Sequence, residues 1–144
     1  MLIGEYAHTL DDKKRLALPA KFRKSLGKGV VVTRGLDRCL FMFSHDSWKK
    51  IAEKMSALSI GASETRGFNR FILAGAYEAE VDSAGRILIP DYLKDFAGLK
   101  TKVVVAGLGD RIEIWDSKRW DAYKERIEAS GDQMAEKLGE VGVI

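Results

Sequence analysis

Tyr77-Glu-Ala-Glu-Val-Asp-Ser-Ala-Gly-Arg-Ile-Leu-Ile-Pro90 is a second writing of Tyr6-Ala-His-Thr-Leu-Asp-Asp-Lys-Lys-Arg-Leu-Ala-Leu-Pro19. Tyrosine, an apolar residue, aspartate, arginine, an apolar-x-apolar triplet and proline keep the same spacing in both. The echo continues downstream: Val30-Val-Val with Val103-Val-Val, Leu40-Phe-Met-Phe with Ile112-Glu-Ile-Trp, and Trp48 with Trp120. A period near half of the 144 residues is too long for a solenoid, whose units run about 20–50 residues. One tandem duplication follows, two similar small units related by a pseudo-twofold.

The pattern of each copy predicts strand, tight turn, strand, short helix, strand, strand and a longer helix. Tyr77, Ala79 and Val81 alternate with Glu78 and Glu80, as on a half-buried strand. Asp82-Ser-Ala-Gly turns the chain, and Gly85 supplies the positive φ that such hairpins use. Pro19 and Pro90 stand where a helix begins without loss of a hydrogen bond, and Gly27 and Gly98 where it stops. Further strands are expected over 29–34 with 39–43 and over 101–106 with 111–115. Ser44 and Asp116 read as N-caps of the longer helices. Trp48, Ile51, Ala52, Met55 and Leu58 fall at helical spacing, as do Trp120, Tyr123 and Ile127, and these stripes read as core. Phe68, Phe71 and Ile72 suggest an amphipathic helix between the copies. Met134, Leu138 and Val141 mark a tail that docks as a short helix or stays loose. The resulting division is a first repeat over 5–52, a helical linker over 53–75, a second repeat over 76–123 and a C-terminal helix or tail over 124–144.

Composition bounds the function. Apolar residues make up 46% and charged residues 31%, ordinary for a soluble globular protein. No run approaches the roughly 18 apolar residues of a membrane span, and no secretory leader is evident. The single cysteine, Cys39, excludes an internal disulfide and points to an intracellular location. With two histidines, His8 and His45, a structural zinc site is not expected. No Walker loop, nucleophile elbow or His-x-x-x-His spacing occurs, and Gly107-Leu-Gly-Asp lacks the context of a nucleotide loop. Two aspartates related by a pseudo-twofold invite comparison with a proton-sharing acid dyad. Against it, Asp11 and Asp82 are each followed by an arginine that keeps a carboxylate ionised. The chain is read as a non-enzyme without cofactor.

Charge is uneven. Residues 1–72 carry 14 Lys/Arg and 7 Asp/Glu; residues 73–144 carry 10 and 14. Lys13, Lys14, Arg15, Lys21, Arg23, Lys24 and Lys28 lie within 13–28 with no acid among them. The matching stretch of the second copy balances Arg86 and Lys94 with Asp91 and Asp95. An uncompensated basic cluster is either solvated surface or a polyanion site, and its confinement to one copy favours the second. An arginine raised on a rigid hairpin presents a planar fork suited to phosphate and to the guanine edge. Arg15 and Arg86 are therefore the candidate DNA-contacting residues, Arg15 as the base reader and Arg86 as either a secondary contact or a structural residue. Lys13, Lys14, Lys21, Arg23 and Lys24 are candidate phosphate contacts. Lys14 replaces the turn glycine of the second copy. At a left-handed position it costs on the order of 1 kcal/mol, set either by drift or by the value of one more cation.

The duplicated Asp-x-x-x-Arg-apolar-x-apolar-Pro pattern resembles the MraZ family, whose halves are AbrB/SpoVT-like units. Phe22-Arg23, the segment Phe71-Ile-Leu-Ala-Gly-Ala76 and Ile112-Glu-Ile-Trp-Asp116 extend the resemblance over about residues 1–130. Lys14 departs from it, since the family's first turn usually has glycine. The resemblance implies an α+β fold of two swapped-hairpin, double-psi-like β units packed as a pseudo-twofold barrel with short flanking helices. It further implies a cytoplasmic, nucleoid-associated regulator, usually a repressor of the division and cell-wall gene cluster. Such proteins bind short direct repeats in promoter double-stranded DNA as a ring-like homo-oligomer, an octamer or larger. The motif arginine, implicated in DNA binding, maps onto Arg15 and Arg86. The alternative is a protein-binding, antitoxin-like module that uses its helices or its tail.

Overall fold

In the computed structural model, residues 1–140 and 142 are described. The first copy contributes β1 (Leu2–Thr9), β2 (Arg15–Ala17), α1 (Ala20–Leu26), β3 (Gly29–Arg34), β4 (Leu40–Ser44) and α2 (His45–Ser56). Helix α3 (Ser63–Ile72) follows. The second copy repeats the order with β5 (Tyr77–Glu80), β6 (Arg86–Leu88), α4 (Asp91–Ala97), β7 (Lys102–Gly109), β8 (Ile112–Asp116) and α5 (Ser117–Ala129), and α6 (Gly131–Gly139) comes last. The element types expected from the sequence are all present. Pro19 and Pro90 precede the short helices, and Gly27 and Gly98 end them. Ser44 Oγ accepts from the backbone N–H of Ser47, and Asp116 Oδ2 from that of Arg119, so both are N-caps.

Six strands form one antiparallel sheet in the order β1-β7-β8-β4-β3-β5, and β2 pairs with β6 in a separate ribbon. The order is a palindrome of the duplication. The first strand of each copy pairs with the third strand of the other, β1 on β7 and β5 on β3. Tyr6 faces Val105, and Tyr77 faces Val32. The pseudo-axis passes between β4 and β8, where the equivalent residues Phe41 and Glu113 face each other. The sheet stays open. Strands β1 and β5 are its two edges, and no pairing among the described residues joins them, so the barrel closure expected from the resemblance is not found. The strands that would have to bridge the edges, β2 and β6, are three residues long and pair with each other instead.

Alternation explains the layers. Val30, Val32, Leu40, Met42, Val103, Val105, Ile112 and Ile114 point to one face and are buried. Against them pack Leu16 and Ile87 of the ribbon, Leu18 and Ile89 beyond it, Phe22 of α1 and Leu93 of α4. The opposite face buries Cys39, Val104 and Trp115 under Trp120 and Tyr123 of α5, while Phe43 meets Trp48 of α2. The helical stripes are only partly core: in α2 Met55 is buried while Leu58, just beyond it, is 49% exposed, and α5 buries no residue fully. Its hold on the sheet is polar as well, since Glu5 of β1 accepts from Trp120 Nε1 at 3.0 Å and Lys124 Nζ at 2.6 Å. Of the expected tail anchors, Met134 and Leu138 lie on α6, and Val141 falls outside the described residues.

Candidate nucleic-acid interface

The two copies of the motif meet in the β2–β6 ribbon. Its register is Arg15 opposite Leu88, Leu16 opposite Ile87 and Ala17 opposite Arg86. Because side chains alternate along a strand, Leu16 and Ile87 turn inward while Arg15, Ala17, Arg86 and Leu88 share the outer face. Burial agrees: Leu16 and Ile87 are 0% and 1% exposed, whereas Leu88 is 43% exposed. The two motif arginines, 71 positions apart in sequence, thus stand diagonally on one small surface. Strand geometry puts their Cα atoms roughly 8 Å apart.

Each arginine leaves a turn built in the same way. Asp11 accepts from the backbone N–H of Lys14 through its carbonyl and donates its own N–H to the Arg15 carbonyl, both at 3.0 Å. Asp82 repeats this with Gly85 and Arg86 at 2.9 Å. The aspartate side chains staple the loops from within. Asp11 Oδ1 accepts from the N–H groups of Lys13 and Arg15, and Asp82 Oδ1 from those of Ala84 and Arg86. The N–H of Arg15 is the main cause that holds the Asp11 carboxyl below the ordinary range, and the N–H of Arg86 does the same for Asp82. Both carboxylates are therefore ionised, the opposite of a dyad that shares a proton. The turns also lock each other: Leu18 N–H donates to the Gly85 carbonyl and Ile89 N–H to the Lys14 carbonyl.

Residue 14 does occupy the left-handed region, with φ 61° against 76° at Gly85. What distinguishes the two turns is the neighbour each receives from the other copy. Over Gly85 lies the guanidinium of Arg23, so close that a Cβ there would fall 2.3 Å from its Cζ. Arg23 Nε donates to the Leu18 carbonyl at 3.0 Å and so is fixed over that turn. At the first turn the corresponding helix supplies Asp91, which forms an ion pair with Lys14. Glycine at 85 makes room for Arg23, and lysine at 14 answers Asp91.

The expected site residues are thus unequally placed. Arg15 and Arg86 come together on the ribbon face. Lys13 is exposed in the first turn, and Lys14 and Arg23 sit beside the ribbon but are engaged within the chain. Lys21 and Lys24 are exposed on α1. The arginines also differ from each other. Arg86 Nε donates to Asp82 Oδ2 at 3.0 Å, whereas Arg15 Nε stands 3.6 Å from Asp11 Oδ2, buried and without a hydrogen-bond partner. Ala17 and Leu88 between the arginines, and Asp91 beside Lys14, escaped the sequence reading. The i, i+2 rule along each strand was the signal for the first two. Among the described residues no cluster of histidine, cysteine and acidic side chains could hold a metal ion, and no helix is long and apolar enough to cross a membrane.

A duplicated α+β chain whose two copies exchange strands and set one motif arginine each on a shared ribbon defines the class of protein. The family model described as MraZ protein matches residues 1–71 and again residues 72–140. Transcriptional regulator MraZ of Oenococcus oeni is 49% identical over 138 residues, covering 96% of each chain. That of Caldanaerobacter subterraneus subsp. tengcongensis is 46% identical over 138 residues with the same coverage. That of Halothermothrix orenii is 44% identical over 143 residues, covering 99% of this chain and all of the relative. The chain belongs to the MraZ family, as the resemblance implied, and stands among transcriptional regulators.

Proposed function

We propose that this protein regulates transcription by laying the outer face of the β2–β6 ribbon into the major groove of promoter DNA. The observation that carries the reading is the joint placement of Arg15 and Arg86 on that face. A major groove about 12 Å wide admits a two-stranded β-ribbon, and arginine is the commonest reader of guanine there. In this reading Arg15 reads bases with the outer nitrogens of its guanidinium, and Arg86 makes the second contact. Lys13, Lys21 and Lys24 hold phosphates, with Lys14 and Arg23 shaping the turns and adding field. Leu88 and Ala17 offer the apolar surface that contacts thymine methyl groups.

One ribbon covers few base pairs, so a single protomer binds weakly. A ring-like homo-oligomer supplies the remedy, because linked sites gain about 10²–10⁴ in avidity. Protomers related by rotation favour short direct repeats about one helical turn apart. The target is the division and cell-wall gene cluster, the action repression, and the setting the cytoplasm and nucleoid. The test is a titration of wild type, Arg15→Ala and Arg86→Ala against a fragment bearing tandem repeats, at two salt levels, with native mass in parallel. Wild-type affinity should fall steeply with salt, since each neutralised phosphate contributes about 0.9 to the log–log slope. Arg15→Ala should weaken binding most. Equal binding by all three proteins refutes the ribbon as the contact surface.

A further inference from the structure

Helix α6 has nothing of its own to hold it. It spans nine residues between Gly131 and Gly139, its N-cap Ser130 makes no side-chain capping bond, and none of its residues is buried. Isolated helices shorter than about 12–15 residues are marginal in water, and most gain their stability from packing an apolar face. Met134 and Leu138, one turn apart, supply such a face and are 41% and 48% exposed.

A complementary surface lies elsewhere on the chain. Leu36, Phe41, Phe43, Ile51, Phe68 and Ile72 line an apolar groove of about 420 Å³ between α2, α3 and the β3–β4 turn. Its lips are apolar too, with Leu36 52% and Phe68 43% exposed. Contiguous exposed apolar surface of this kind marks an interaction site more often than a scatter of single side chains does. Lys54 lines it without an ion pair among the described residues, while Arg111, from the β7–β8 turn, is paired with Asp110 in the same lining and with Glu113. Asp132, Glu136 and Glu140 against Lys137 make α6 and its end net acidic. An apolar i, i+4 pair in an acidic helix matches an apolar groove that carries the unpaired Lys54, the helix-in-groove mode of recognition.

We infer that α6 of one copy docks Met134 and Leu138 into this groove on a second copy. Groove and helix are different patches of one chain, so the contact is heterologous: each copy gives a helix forward and receives one behind, and the series closes into a ring when the rotation permits. The inference deepens the self-assembly reading above, on which it rests, by naming the interface.

The test uses the full chain in three forms: wild type, Met134→Glu with Leu138→Glu, and Phe68→Glu. All substituted side chains are exposed, so each protein should fold with an unchanged circular dichroism spectrum; Leu36→Glu replaces Phe68→Glu if that one does not. Wild type should form closed assemblies by native mass, and each variant alone should be monomeric. An equimolar mixture of the two variants retains one intact helix and one intact groove, and should give a 1:1 dimer and nothing larger. Variants that assemble like wild type overturn this interface while leaving self-association standing. Monomeric variants that stay monomeric on mixing also overturn it. A wild type that is itself monomeric removes the self-assembly reading, and this inference with it.

Discussion

Gly85→Ala should expose how the second turn is built. Its φ of 76° is in the left-handed region, where a Cβ costs roughly 1–2 kcal/mol. The same Cβ would fall 2.3 Å from Arg23 Cζ, so the guanidinium must swing away. Being the far end of a flexible side chain, it can do so at the expense of its 3.0 Å bond to the Leu18 carbonyl. For an exposed arginine that bond is worth about 1 kcal/mol. The two effects together predict a loss of roughly 2–3 kcal/mol, which for a chain of this size lowers the melting temperature by several degrees. A double-mutant cycle separates them. With Arg23→Ala as background only the backbone strain remains, and Gly85→Ala should cost about 1 kcal/mol less than in wild type. Calorimetry of the four proteins at one fixed concentration measures the difference. If Gly85→Ala costs the same in both backgrounds, Arg23 does not dictate the glycine and the account of the two turns is wrong.

Acid should loosen the same turns. The folded pKa values of Asp11 and Asp82 lie below the ordinary 3.8, so their contribution is complete above that value and is lost as pH falls through the depressed one. The melting temperature of Asp82→Asn should accordingly fall less steeply than that of wild type below about pH 4; parallel curves would contradict this. Cys39 is fully buried, and burial pushes its thiol well above the usual range. An aromatic disulfide reagent at pH 8 should leave it untouched in the native protein and titrate one thiol after denaturation, and rapid native labelling would refute the packing described. Leu16→Ala and Ile87→Ala each remove a side chain buried where the two copies meet, and should each cost about 2–5 kcal/mol in denaturant titrations. Since the two residues face each other, the double variant should depart from additivity.

Local signals carried the elements. Proline at 19 and 90, glycine at 27 and 98, and the caps Ser44 and Asp116 mark helix ends through backbone chemistry that acts within a few residues, and all six stand where the sequence put them. Leu58 continues the apolar spacing of α2 yet lies beyond the helix end and half exposed, because periodicity shows which residues could share a face and not how far the sheet beneath extends. Barrel closure was expected from the resemblance alone, and the pairing of β2 with β6 leaves the sheet open. Lys14 was legible as an irregularity, but its ion pair with Asp91 was not.

By itself the sequence determined that one motif is written twice, which elements each writing forms, and that the amino-terminal copy is the basic one. These follow from spacing and composition, which need no knowledge of what lies across the chain. The tertiary structure alone decided that each copy completes its sheet with the other's strands, that Arg15 and Arg86 share a face, and that Arg23 and Asp91 set the residues of the opposite turns. Those are contacts between positions from 45 (Val32 with Tyr77) to 107 (Leu2 with Gly109) apart, fixed by which strand edges find each other, and a backbone hydrogen bond reads the same whatever side chain stands above it.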